Sequence, residues 1–110
     1  GGAGALAVWA LGHGGAAALV ARNDRADAVA LADVQFRTEN TSQLLTAGVS
    51  PSGQLKLWDL RNGELSKALA MELSGGTPLC RLQPHPTRPE LVAVGARSGA
   101  LAVFDLRAAG

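Results

Sequence analysis

Glycine runs, two histidines and one thiol are the residues of this sequence that could do chemistry, and their spacing decides against each. Gly2-Ala3-Gly4-Ala5-Leu6-Ala7 matches G-x-G-x-x-A, the turn that cradles a dinucleotide pyrophosphate. That reading needs a strand before the turn and a helix after it, and the sequence offers neither. Gly48 and Gly53 stand at P-loop spacing, but Gln54-Leu55 occupies the place of the Lys-Ser/Thr pair, so the cation that grips phosphate is missing. His13-Gly14-Gly15 could open an oxyanion hole, yet no G-x-S-x-G nucleophile elbow accompanies it. Cys80, His85 and the distant His13 fall short of the four ligands of a closed zinc site. Cys80 reads instead as a small buried hydrophobe of an apolar strand, and His85, before Pro86, as a turn cap. The carboxylates Asp24, Asp27, Asp33, Glu39, Glu64, Glu72 and Glu90 are scattered singly, without the pairing that general acid–base work requires. The sequence therefore predicts no catalytic residue, no cofactor and no metal.

Composition narrows the classes further. The chain has 110 residues, 47% apolar and 17% charged, with a net charge of +1, so neither intrinsic disorder nor a strongly basic nucleic-acid binder fits. Arg81, Arg88 and Arg97 read as a solvated rim rather than a nucleic-acid track. One cysteine excludes an internal disulfide and suits a reducing compartment. Residues 1 to 21 carry no Asp, Glu, Lys or Arg. Six glycines interrupt that stretch and no basic region precedes it, so it reads neither as a signal peptide nor as a span, which needs ~20 mostly apolar residues. Gly1 is not an initiator Met, and the chain is read as a piece of a larger protein.

The elements that would position such residues come from an internal repeat. Gly4-Ala5-Leu6-Ala7-Val8-Trp9-Ala10-Leu11, Gly53-Gln54-Leu55-Lys56-Leu57-Trp58-Asp59-Leu60-Arg61 and Gly99-Ala100-Leu101-Ala102-Val103-Phe104-Asp105-Leu106-Arg107 follow one template. It runs Gly, x, aliphatic, x, aliphatic, aromatic, x, Leu. Leu44-Leu45-Thr46-Ala47-Gly48, matched with Leu91-Val92-Ala93-Val94-Gly95, precedes the last two copies. Each of these reads as a hairpin turning at Ser52-Gly53 or Ser98-Gly99, with Pro51 adding one residue to the first turn. Strand parity sends Leu55 and Leu57, Leu101 and Val103, or Leu6 and Val8 to one face and Trp58, Phe104 or Trp9 to the other. Both faces are then covered, as in radially stacked blades. Apolar strands before the hairpins (29 to 36; 79 to 84) and after them (65 to 71; 16 to 21) complete four strands per period of about 46–49 residues, near the ~40–45 of a WD-type propeller. The predicted fold is an all-β, WD40-type β-propeller of which about two and a half blades are present. Residues 1–28 form the tail of one blade, 29–73 a complete one, and 78–110 one lacking its outermost strand.

Trp58-Asp59 is the dipeptide that names WD repeats, and Phe104-Asp105 looks like its diverged copy. Together with Pro78-Leu79-Cys80-Arg81-Leu82-Gln83-Pro84-His85-Pro86 and Val34-Gln35-Phe36-Arg37-Thr38, these segments resemble the small WD-repeat nucleoporin of the Y-shaped nuclear pore scaffold complex, the nucleoporin-forty-three type. The likeness covers residues 29 to 107 and continues more weakly back to Gly4. It implies that Trp9, Gly53, Trp58, Asp59, Gly99, Phe104 and Asp105 are structural WD-motif residues. It implies a non-catalytic scaffold at the nuclear envelope and pore that supports mRNA and protein transport, with a kinetochore-associated role in mitosis. Its partners would be outer-ring subunits and the remainder of its own propeller, without nucleic acid or membrane insertion. WD repeats usually carry Asp before the turn glycine and a Gly-His pair; Ser52 and Ser98 stand at the first place and the His is not evident, which puts the usual polar network in doubt. The alternative function rests on Asp-Leu-Arg ending at Arg61 and Arg107. That pattern resembles the motif of WD substrate receptors that dock on cullin ubiquitin-ligase adaptors, although a local Asp–Arg pair explains the spacing equally well.

Overall fold

The computed structural model describes residues 4–11, 14, 17–27, 29–37, 42–51, 53–61, 64–72 and 76–107. They form nine strands: β1 (Gly4–Leu11), β2 (Ala17–Asp27), β3 (Leu31–Phe36), β4 (Gln43–Gly48), β5 (Gln54–Arg61), β6 (Glu64–Glu72), β7 (Leu79–Pro84), β8 (Leu91–Ala96) and β9 (Leu101–Asp105). Among the described residues there is no α-helix, and none long and apolar enough to cross a membrane. All pairing is antiparallel between sequence neighbours, in sheets ordered β1-β2, β3-β4-β5-β6 and β7-β8-β9. The expected strands are all present, with β2 running six residues past the predicted Ala21.

The middle sheet packs on both faces. Toward the third sheet, Leu45, Ala47, Leu55 and Leu57 meet Leu79, Leu82, Val92, Val94 and Phe104. Toward the first, Leu44, Trp58 and Leu65 meet Leu6, Ala21 and Ala26. The parity read from the sequence therefore places Leu55 and Leu57 opposite Trp58, as expected. Strand β6 needs one further device, because Leu65 and Leu69 share parity yet face opposite ways. A bulge supplies it: Leu57 faces Leu69 while Trp58 faces Lys67, and the extra residue, Ala68, inverts the faces beyond it. The first sheet repeats this bulge, with Val8 opposite Ala21 and Trp9 opposite Leu19. A second repeated bulge falls at Ala32 in β3 and at Cys80 in β7. Cys80 is consequently exposed, not buried as the apolar context predicted.

Pairing also corrects the repeat alignment. Leu44 opposes Trp58 and Val92 opposes Phe104, so Leu44 corresponds to Val92 rather than to Leu91, and Thr46 to Val94. The glycine-anchored alignment was displaced by one residue, which would have inverted every side chain of β8. The first turn is accordingly two residues longer than the second, and not one.

Both turns use a glycine with positive φ, +57° at Gly53 and +94° at Gly99, where side chains are strained. Their surroundings differ: a Cβ on Gly53 would strike the Thr77 carbonyl leading into β7, whereas nothing lies within 4 Å of one on Gly99. Gly99→Ala should cost about 1 kcal/mol of conformational strain. Gly53→Ala adds the displacement of a backbone segment, for about 2–4 kcal/mol in all. Urea titration of the two variants should separate them in that order.

Candidate functional site

The polar side chains that carry work lie between sheets. Trp58, 3% exposed, donates its indole N–H to the Thr46 hydroxyl at 2.9 Å. Thr46 is fully buried and sits diagonally across from Trp58 on the same face, which is why the two can meet. In the third sheet the corresponding pair is Phe104 and Val94, so both donor and acceptor are absent there. Asp27 closes β2 and is 2% exposed. It accepts N–H groups from Val29 (3.0 Å) and Ala30 (3.1 Å) and the Ser50 hydroxyl (3.2 Å), and lies against Gly48 where any side chain would collide with it. One carboxylate thus ties the segment entering β3 to the β4–β5 turn. Lys56 adds a bond from Nζ to the Ala26 carbonyl at 2.8 Å.

The junction between the second and third sheets is held from β3. Asp33 accepts the Leu82 N–H at 2.8 Å. Arg37 donates to the Pro89 carbonyl (2.8 Å) and to Gln43 Oε1 (2.7 Å). Sequence reading singled out none of Asp27, Asp33, Arg37, Thr46 or Lys56 for these roles. The signal for Thr46 was present as a hydroxyl inside an otherwise apolar strand, a position that demands a partner.

The residues singled out from the sequence fall as follows. Trp58 and the partly buried Phe104 lie between sheets, and Trp9 lies on the outer face of the first sheet. Asp59 accepts Gln43 Nε2 at 2.7 Å, so its carboxylate is held across the sheet; Arg61 ends β5 exposed, opposite Glu64. The expected local Asp–Arg pair does form at the other copy. Asp105 accepts the Arg107 backbone N–H (2.9 Å) and pairs with its guanidinium (3.3 Å), and that hydrogen bond, with the charges of Asp105 and Glu90, raises the Arg107 pKa. Arg22 is raised in the same way by Asp24. The Ser98 hydroxyl accepts the Ala100 N–H at 3.4 Å, tying its turn weakly, while Ser52 lies outside the described residues.

His85 caps its turn as expected, Nδ1 accepting the N–H groups of Thr87 (3.1 Å) and Arg88 (3.0 Å). His13 and Gly15, like Gly2 and Ala3, lie outside the described residues; Gly4 to Ala7 run inside β1. No group of three or more His, Cys, Asp or Glu that could hold a metal occurs among the described residues. What the surface offers instead is apolar sheet. Trp9 (57% exposed) and Leu19 stand out from the first sheet, Leu101 (75%) and Val103 (64%) from the third. A groove of about 280 Å³ runs over the latter, lined by Pro84, His85, Leu91, Ala93 and Val103 among others.

Sheets stacked in chain order, built from one repeating strand order with an aromatic between successive members, define a portion of a WD-type β-propeller. No protein-family model matches the chain. It is similar to the nucleoporin Nup43 of Homo sapiens, 35% identical over 85 residues that make up 76% of this chain and 21% of that protein. Nup43 of Mus musculus is 34% identical over the same shares. The WD repeat-containing protein 74 of Bos taurus is 39% identical over 56 residues, 51% of this chain and 14% of that protein. The chain thus spans about a fifth or less of the length of these curated relatives.

Proposed function

We propose that the chain is part of a non-catalytic scaffold propeller of the nuclear pore outer ring, where it supports nucleocytoplasmic transport through contacts with neighbouring scaffold subunits. The similarity to Nup43 along 85 residues carries this reading. The fold supports it, because the buried Asp27 and Ser50 join the first sheet to the middle one and the buried Thr46 braces Trp58 within the middle sheet, a structural use of these polar groups. Both nucleoporin names point to the pore and neither to the kinetochore, which the proposal leaves out. Blade limits near residues 29–73 and 78–110, and the WD-motif role of Gly53, Trp58, Asp59, Gly99, Phe104 and Asp105, belong to the same proposal. The four-stranded and three-stranded sheets and the inter-sheet aromatics support them.

The test is the location and company of the tagged protein. It should concentrate at the nuclear rim and copurify with outer-ring nucleoporins, and Arg61→Ala with Arg107→Ala should leave both unchanged. Scaffold interfaces draw their energy from a few buried anchors, and Arg107 is exposed and engaged by its own Asp105. Capture of a cullin adaptor that falls at least ~10-fold in the double variant, without rim staining, would replace the scaffold reading with that of a ligase receptor.

A further inference from the structure

We draw no further inference here: the strongest candidate, the apolar faces of the first and third sheets around Trp9 and around Leu101 and Val103, falls where the neighbouring blades of the same propeller pack and so belongs to the fold already described.

Discussion

Trp58→Ala should lower the stability of the folded chain by about 3–5 kcal/mol, read as a shift in the urea midpoint at fixed chain concentration. Two losses combine. The indole fills the space between the first and middle sheets against Leu6, Leu44 and Leu65, and its removal leaves a cavity in a place where both sheets are held by strand pairing and cannot collapse. The Thr46 hydroxyl, fully buried, also loses its donor. The second loss can be isolated, because the third sheet holds Phe104 and Val94 at the corresponding places. Trp58→Phe and Thr46→Val should each cost about 1–3 kcal/mol by leaving one buried polar group unpaired. The double variant, rebuilding the apolar pair of the third sheet, should cost clearly less than the sum. Strict additivity would mean that the Trp58–Thr46 bond contributes nothing. Near-wild-type stability for Trp58→Ala with loss of a partner would move Trp58 from the core to a binding surface.

The contrast between these two pairs shows what sequence could and could not reveal. Alternation of Leu55 and Leu57 against Trp58 was legible because strand geometry fixes it whatever the neighbours are. The three copies of Gly-x-aliphatic-x-aliphatic-aromatic then set the number and order of sheets. Registers were not legible. Bulges at Ala68 and Cys80 each insert one residue without any marker in composition, and one residue is enough to turn Cys80 outward or to send Leu65 and Leu69 to opposite faces. The displaced alignment of β4 with β8 has the same origin, since Gly48 and Gly95 look equivalent in sequence but occupy different rungs. The inter-sheet polar groups escaped for another reason. Asp27, Asp33 and Arg37 meet partners set by how sheets stack, and Asp33 and Leu82 are 49 positions apart. A lone carboxylate in a polar stretch therefore gave no sign that its oxygen would close a junction.

Asp27→Ala should be the next most damaging change, at about 2–4 kcal/mol, for a reason unlike that at Trp58. Little apolar volume is lost, but the Val29 and Ala30 N–H groups and the Ser50 hydroxyl lose a common acceptor, and each buried donor left unmade costs about 1–3 kcal/mol, less where water can reach it. Asp27→Asn retains one oxygen and brings an amide that cannot accept, so it should recover part of the loss. Position matters as much as magnitude. Asp27 joins the segment entering β3 to the β4–β5 turn, so its loss should raise hydrogen exchange first at Val29, Ala30 and Val49, whose N–H bonds the Ala30 carbonyl at 3.0 Å. Leu82 and Ala96, on the far side of the middle sheet, should keep their protection. Ser50, two residues before Ser52 in the β4–β5 turn, donates its hydroxyl to Asp27 at the end of β2, so one hydrogen bond joins that turn to the chain leading into β3. Equal loss of protection across all three sheets would show that Asp27 supports the whole fold. Loss confined to residues 29–30 and 49–50 would show a local staple whose geometry the rest of the sheet does not need.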